Sequence, residues 1–346
     1  MTPPIDPPDP THHPGASEAR RRAEEVGPDA ATAISTPGGG RVLVGTAGWT
    51  DRTLTAAGVF YPQGVSSPED RLRFYSSRFP LVEVDATYYS LPTRAMAERW
   101  MERTPEWFTF DVKAHALMTG HATEPKRLPP ELRERLPGRM AEQHRVYAKD
   151  LPEEVRDEAW RIFLDALEPL RSSGKLGAVL MQYPPWFAPG APAREEILSA
   201  KERFGDVPFS VELRNASWFD QRSADRTLRF FEDARIPLVM VDEPQGLRSS
   251  VPPVLAVTSP RLALVRFHGR RTDKWEARGA PVAERYCYLY ERAELDEWVP
   301  RIESAAERAT ETHVIMNNCY ANYGTTNAAE ISELLRRAYG GSPAVP

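Results

Sequence analysis

Eight short apolar runs recur along this 346-residue chain, and segments of helical length separate them. Runs rich in β-branched residues, bounded by turn residues and separated by helices, are typical of a parallel sheet. The predicted strands lie at 42–47, 81–86, 108–113, 176–182, 207–213, 237–242, 262–267 and 313–317. The predicted helices lie at 66–78, 93–103, 153–172, 193–204, 223–234, 292–309 and 326–339. Eight repeats are the number in a (β/α)8 TIM barrel.

A doubly wound open sheet is the main competing architecture. It favours a glycine-rich turn after an early strand, but residues 45–50 read G-T-A-G-W-T and lack the G-x-G-x-x-G pattern. The sequence therefore predicts an α/β protein with one (β/α)8 barrel domain over residues 41–340. The charged, proline-containing stretch 120–152 is too long for an ordinary connection, so we expect an excursion over one mouth of the barrel.

Residues 1–40 differ in composition from the rest of the chain. They hold eight of the 33 prolines and almost no large apolar residues. Such a segment buries too little surface to offset the entropy lost on ordering, so it is predicted to be a disordered tail.

Composition excludes several classes of protein. No run of about 18 apolar residues exists, and the N-terminus lacks a basic start followed by an apolar stretch. We therefore predict a cytoplasmic protein without a membrane partner. Two cysteines, Cys287 and Cys319, cannot form a disulfide scaffold or a four-cysteine zinc site. A formal net charge of −5 argues against a protein that grips nucleic acid through global positive charge.

Polar side chains cluster at the ends of the predicted strands, where barrels of this kind carry their active sites. These residues are Glu83, Asp85, Tyr88, Lys113, Gln182, Glu212, Arg214, Trp218, Asp242, Arg266, His268, Asn317 and Asn318. Charged side chains on barrel strands need partners. Their recurrence on five strands predicts a polar, functional mouth.

Several motifs resemble a known family. The match begins with G-T-A-G-W at 45–49 and F-Y-P at 60–62, then V-E-V-D-A-T-Y-Y at 82–89 and F-x-V-K at 110–113. T-G-H at 119–121, L-M-Q-Y-P-P-W-F at 180–187, V-E-L-R-N-A-S-W-F at 211–219 and R-F-H-G at 266–269 follow in order. Y-L-Y at 288–290, E-L at 294–295 and N-N-C-Y-A-N-Y-G-T-T-N-A at 317–328 complete it. Over about 41–340 the chain thus resembles the YecE-like family, domain of unknown function 72.

This resemblance implies a (β/α)8 barrel and supplies no established reaction. The sequence departs from the family at the fifth strand, where F-R-H is more usual and Leu213-Arg214-Asn215 stands here. The missing imidazole at Asn215 argues against a mechanism that needs histidine at this position.

Anion binding has the best support from the strand-end residues. Arg266, His268 and Gly269 follow one another on the seventh strand, and Asn317-Asn318 end the eighth. Barrels often bind phosphate with the loops after strands 7 and 8, and arginine forks and amide donors suit such a ligand. Aromatic residues nearby, including Tyr88 and Trp218, are candidates to stack on a base or sugar.

The leading prediction is an enzyme that hydrolyses a phosphorylated or nucleic-acid-derived ligand. In it His268 serves as the acid/base and Glu212 or Asp242 as the base or orienting group. Lys113, Arg214 and Arg266 hold the anion, with Gln182 also at the mouth. The alternative is a non-catalytic barrel in which the same side chains bind a small ligand or a partner.

Other chemistries stay open, and the sequence assigns no cofactor. Glu83, Asp85, Glu212 and His268 are the candidate ligands if a divalent metal binds. Glycoside hydrolysis is disfavoured because strand 4 ends in Gln182 and strand 7 in His268 instead of the usual carboxylates. Lys113 as a Schiff-base lysine requires a depressed pKa, which a nearby carboxylate would oppose.

Overall fold

The computed structural model describes residues 15–26, 32–277, 279 and 281–340. A short first strand, β1 (Ile34–Ser35), pairs antiparallel with the strand that follows it. The eight further strands are β2 (Arg41–Ala47), β3 (Leu81–Val84), β4 (Thr109–Lys113), β5 (Leu176–Gln182), β6 (Phe209–Glu212), β7 (Met240–Asp242), β8 (Leu262–Phe267) and β9 (Glu311–Met316). All eight strands predicted from the sequence are therefore present.

The chain divides into two compact units, one of residues 1–82 and 228–346 and the other of residues 83–227. In the first unit β2 pairs in parallel with β9, β9 with β8 and β8 with β7. In the second unit β4, β5 and β6 pair in parallel. The strand order β6-β5-β4-β3-β2-β9-β8-β7, with helices between the strands, is that of a (β/α)8 barrel. The predicted fold class is confirmed.

Thirteen helical segments occur in the described residues. They are α1 (Ala16–Val26), α2 (Arg52–Ala57), α3 (Pro68–Ser76), α4 (Arg94–Glu102), α5 (Pro130–Arg133), α6 (Glu153–Ser172), α7 (Ala191–Phe204), α8 (Ala224–Ala234), α9 (Thr272–Trp275), α10 (Val282–Arg285), α11 (Arg292–Asp296), α12 (Val299–Arg308) and α13 (Tyr323–Ala338). The single helix predicted over 292–309 is wrong. It is broken between α11 and α12, where Pro300 lies in the first turn of α12. Proline suits that position because it lacks an N–H to donate.

The first barrel strand depends on a glycine at its centre. A Cβ atom added at Gly45 would lie 2.0 Å from the carbonyl oxygen of Leu81, which is impossible without moving the backbone of β3. Hydrogen is the only substituent that fits here. The G-T-A-G-W motif therefore begins with a residue that packing of two strands requires.

Two parts of the segment predicted as a disordered tail are folded, because helix α1 and strand β1 lie within residues 1–40. Helix α1 buries Ala19 completely, and the guanidinium of Arg22 lies 2.6 Å from the carboxylate of Glu330 on α13. Ile34 in β1 is 4% exposed. A prediction of disorder from composition depends on the number of large apolar residues. It takes no account of a small buried residue such as Ala19 or of a buried ion pair such as that of Arg22 with Glu330. Residues 1–14 and 27–31 of the predicted tail lie outside the described residues.

The stretch 120–152 is an excursion made of short turns, as its length suggested. It contains α5 and three 3-10 turns at Pro125–Arg127, Met140–Glu142 and Ala148–Asp150. An isolated bridge joins Thr123 to Val146. Buried leucines and a valine, Leu128, Leu132, Leu136, Val146 and Leu151, anchor it. In the part of the chain that the structure describes, no helix has the length and apolar character needed to cross a bilayer.

Candidate ligand-binding site

A buried carboxylate lies at the end of β6. Glu212 is fully buried, and its Oε1 accepts a hydrogen bond from Gln182 Nε2 at 2.7 Å. The sheet register places Gln182 directly beside Glu212. Arg214 Nη1 approaches the same oxygen at 3.4 Å, so this ion pair is long. The good hydrogen bonds of such groups measure about 2.7–3.2 Å.

A lysine occupies the corresponding place at the end of β4. The Lys113 side chain is 13% exposed, and its Nζ lies 3.5 Å from Asp85 Oδ1. The same nitrogen lies 5.1 Å from the centre of the Tyr88 ring. Tyr88 ends the 3-10 turn Ala86–Tyr88 that directly follows β3 and Asp85. Lys113 thus contacts both an acidic group and an aromatic face, and its carboxylate contact is also long.

His121 stands among these groups. Its ring centre lies 5.3 Å from that of Tyr88 and 5.7 Å from that of Trp186. Burial, and to a smaller extent the positive charges of Lys113 and Arg214, lower the pKa of His121 to about 4. His121 is therefore neutral at neutral pH.

An aromatic edge continues from this cluster into solvent. Trp186 is 62% exposed and Tyr89 is 50% exposed. The Tyr88 and Tyr89 rings meet edge to face at 5.0 Å. Exposed flat rings beside cations are suited to stacking on a planar ligand.

Trp218, which was predicted to contact a ligand, does not belong to this edge. The side chain is completely buried and its indole Nε1 donates to the carbonyl oxygen of Phe187 at 2.7 Å. The Phe187 ring stacks on it at 5.8 Å between centres. The S-W-F motif therefore builds the core, while Trp186, in the preceding strand-end motif at 180–187, provides the accessible indole.

In the other unit, Asp242 at the end of β7 is saturated with hydrogen bonds. Arg270 donates to both carboxylate oxygens, at 3.0 and 2.8 Å. Tyr290 Oη donates to Oδ1 and Trp298 Nε1 donates to Oδ2, each at 2.7 Å. Burial and the neighbouring Asp242 raise the pKa of Tyr290 well above its ordinary value, which keeps it a donor. These contacts do not support Asp242 as a base.

The residues predicted to bind an anion after β8 and β9 are buried, and anion binding there stays a prediction. Arg266 and His268 are both fully buried, so a dissolved anion does not meet them at an open rim. The Asn317 amide lies 2.8 Å from His268 Nδ1. Asn318 Nδ2 donates to the Tyr288 carbonyl and to Asn327 Oδ1, each at 2.8 Å. The side-chain amides of Asn317 and Asn318 therefore make hydrogen bonds within the protein.

Gly269 permits a close approach between two segments of the chain. Its φ of +85° favours glycine, and a Cβ there would lie 2.6 Å from Tyr288 Cβ. Its N–H donates to Tyr290 Oη at 2.8 Å. The close approach that this glycine permits is to the Y-L-Y segment and not to a ligand.

The candidate metal ligands do not assemble. Across the described ranges, no three histidine, cysteine, aspartate or glutamate side chains come together as a metal-binding group. This holds for the suggested set of Glu83, Asp85, Glu212 and His268. Glu83 is fully buried on β3.

The structure thus groups the predicted residues into two clusters. Glu212, Arg214, Gln182, Lys113, Asp85 and Tyr88 lie in the 83–227 unit, and Asp242, Arg266, His268, Asn317 and Asn318 lie in the other. His121 and Arg270 are the central residues that sequence reasoning did not select. The sequence features that could have identified them are the T-G-H motif at 119–121, which ends in His121, and the position of Arg270 directly after the R-F-H-G motif at 266–269.

The fold and these clusters define a class, the (β/α)8 barrels whose strand ends carry buried, paired charges. Within this class the chain belongs to the family described as protein of unknown function DUF72, whose model matches residues 43–346. The resemblance found in the motifs is therefore confirmed.

Relatives of known sequence and structure agree with this assignment. The chain is 32% identical over 303 residues to UPF0759 protein YunF of Bacillus subtilis strain 168, covering 87% of this chain and 96% of that protein. A DUF72 family protein of Enterococcus faecalis V583 shares 27% identity and has a TM-score of 0.67, with 87% of this chain and 96% of that chain covered. A DUF72 family protein of Thermotoga maritima MSB8 shares 28% identity with a TM-score of 0.66, covering 85% and 99%.

Proposed function

We propose that the chain binds a small ligand with an anionic group and a planar ring, such as a phosphorylated nucleoside. The binding groups are Lys113 and Arg214 for the anion and Tyr88 and Trp186 for the ring. The observation that supports this most is geometric: Lys113 Nζ lies 5.1 Å from the centre of the Tyr88 ring, and that ring lies 5.3 Å from the ring of His121, whose pKa both cations lower. A ligand anion placed there would be attracted by both charges.

Lys113 and Arg214 make long ion pairs, so each could exchange its carboxylate partner for an anionic group of the ligand. Lys113 and Arg214 hold their carboxylates at 3.5 and 3.4 Å. A phosphate oxygen at ordinary hydrogen-bond distance would gain about 1.5–3 kcal/mol from each charged donor. Gln182 would keep Glu212 in place through its 2.7 Å bond while Arg214 turns to the ligand.

The contacts support binding more than hydrolysis. Of the three predicted catalytic residues, Asp242 is saturated by Arg270, Tyr290 and Trp298, and His268 is fully buried. Glu212 alone lies beside the proposed anion-binding cations. Phosphoester hydrolysis, with Glu212 as the base, stays a prediction, as does a cytoplasmic location.

Isothermal titration with adenosine 5′-monophosphate, adenosine and inorganic phosphate tests the proposal. We expect the nucleotide to bind more tightly than either part alone. Lys113→Met should weaken nucleotide binding about tenfold to a hundredfold, the equivalent of one charged hydrogen bond. Trp186→Ala should weaken binding of the nucleotide but not of phosphate.

Two matched variants serve as controls. Lys126→Met removes a lysine that is 79% exposed in the same unit, and Trp107→Ala removes an exposed tryptophan. Both should bind the nucleotide as the unaltered protein does. Equal losses in the control and test variants would contradict the site. Phosphate release from the nucleotide that disappears in Glu212→Gln would add hydrolysis to the binding function.

A further inference from the structure

A cavity of about 520 Å³ lies in the first unit, between α1 and the barrel helices. Ligand pockets in proteins commonly measure about 300–1,000 Å³. Helix α1 contributes Arg20 and Glu24 to its wall, and the start of α13 contributes Asn322, Thr325 and Thr326. Helix α1 lies outside residues 43–346, the part of the chain that the family model matches.

The floor of the cavity is apolar. Phe60 and Phe79 stack with ring centres 6.1 Å apart, and both line the cavity together with Val59. Phe79 is only 2% exposed, so its ring position is fixed by the core. Such a floor favours a ligand with a large apolar side chain.

The walls carry charges of both signs. Arg20 and Glu24 are four residues apart on α1, and so lie on the same face of the helix. Among the described residues, neither has an ion-pair partner. Arg78 adds a second positive charge to the lining and packs over the Phe74 ring at 5.4 Å. Two guanidinium groups suit a carboxylate, and one carboxylate suits an ammonium group.

Asn322 supplies an acceptor that the described part of the protein does not use. It is 1% exposed, it occupies the N-cap position of α13, and its side chain makes no capping bond. Its Nδ2 donates to Thr326 Oγ1 at 2.9 Å, and that hydroxyl donates to the Ala19 carbonyl at 3.1 Å. This chain of donors fixes the amide orientation and leaves Oδ1 without a partner among the described residues.

From these features we infer that the cavity closed by α1 binds a free α-amino acid with a large apolar side chain. Arg20 and Arg78 hold the carboxylate near the positive end of the 16-residue helix α13. Glu24 and Asn322 Oδ1 accept from the ammonium group. Phe60 and Phe79 contact the side chain of the ligand.

Titration calorimetry of the full chain with L-phenylalanine tests this inference. We expect saturable binding, and at least about tenfold weaker binding of 3-phenylpropionate and of phenethylamine, which each lack one charged group. D-Phenylalanine should also bind more weakly, because three fixed groups select one configuration. No binding of L-phenylalanine at millimolar concentration would overturn the inference.

Variants show whether the binding occurs in this cavity. Arg78→Met and Glu24→Gln should each weaken L-phenylalanine binding about tenfold or more. Arg73→Met is the matched control, because Arg73 is an exposed arginine of α3 that pairs with Glu69 and does not line the cavity. Lys113→Met should leave amino-acid binding unchanged, which separates this site from the proposed nucleotide site. Binding that survives both cavity variants, or that falls equally in the control, would overturn the assignment.

Discussion

At the scale of single residues, two histidines with lowered pKa values make the free energy of unfolding depend on pH. Burial lowers the pKa of His115 to about 4, and burial together with Lys113 and Arg214 lowers the pKa of His121 to about 4. Histidine in an unfolded chain titrates near about 6.5. At pH values between these two pKa values, the histidines bind protons in the unfolded chain but not in the folded protein. The stability is therefore complete above pH of about 6.5 and falls as the pH decreases toward about 4.

We expect His121→Gln to reduce this acid sensitivity. Each histidine contributes up to about 1.4 kcal/mol of lost unfolding free energy per pH unit within the window. Chemical denaturation at a series of pH values measures the slope. His144→Gln, which alters an exposed histidine in the same unit, is the matched control. An identical slope for His121→Gln and the unaltered protein would show that His121 is protonated as readily in the folded state as in the unfolded chain.

At the scale of elements, helix α1 is held to the barrel by one buried arginine. Arg22 Nε and Nη2 donate to the two oxygens of Glu330, at 2.7 and 2.6 Å, and Nη2 also donates to the Tyr290 carbonyl at 2.6 Å. The side chains of Arg22 and Glu330 are 7% and 3% exposed. Asn327 Nδ2 donates to the same carboxylate at 2.9 Å. Loss of the arginine would leave a buried carboxylate without its charge partner.

Arg22→Met should therefore lower the free energy of unfolding by about 3–5 kcal/mol, the usual result of breaking a buried pair on one side. Its neighbour Arg21 has a side chain that is 57% exposed and, among the described residues, pairs with Glu18 and Glu25 of the same helix. Arg21→Met should change the stability by less than about 1 kcal/mol. Urea denaturation of the two variants compares them directly, and addition of Glu330→Gln to Arg22→Met should restore part of the loss.

The N-terminal segment is therefore expected to contribute to the stability of the fold. Deletion of residues 1–26 should lower the Tm, because it removes Arg22 and exposes the cluster that Ala19 forms with Tyr320, Ala321 and Tyr323. An unchanged Tm after this deletion would mean that α1 contributes nothing to the stability of the fold.

At the scale of the whole molecule, net charge limits the partners. The chain carries 44 basic and 49 acidic residues, for a formal net charge of −5. Nonspecific binding to duplex DNA depends on many phosphate contacts from lysine and arginine. Many of the arginines here are already paired with carboxylates on their own helices, as Arg73 is with Glu69 and Arg161 with Glu158.

We accordingly expect no retention of a fluorescent duplex at physiological ionic strength, while adenosine 5′-monophosphate still binds. Fluorescence anisotropy over a series of salt concentrations measures the first, and the titrations proposed for the 83–227 unit measure the second. Salt-dependent duplex binding that Lys113→Met leaves intact would reveal a basic surface that the present charge distribution does not indicate.

The sequence by itself determined the fold class and the positions of the strands. Local alternation of β-branched runs with helix-length segments is a property of neighbouring residues, so β5 and β8 were located at 176–182 and 262–267 with the bounds that the structure shows. Glu212 and Arg214 lie two residues apart, a spacing that places side chains on the same face of a strand, and the two side chains do pair.

Only the tertiary structure decided which of these polar residues a ligand can reach. Arg266 and Arg270 lie four residues apart in one motif, yet the first is fully buried and the second holds Asp242 with a side chain that is 30% exposed. Trp186 and Trp218 both follow strand ends. Trp186 is exposed, whereas Trp218 is buried and its indole N–H donates to the carbonyl oxygen of Phe187. Helix α1 is ordered because Glu330, 308 residues away in sequence, provides the partner that Arg22 needs. Burial and ion pairing join residues that are distant in the chain, and for this reason local sequence patterns do not contain them.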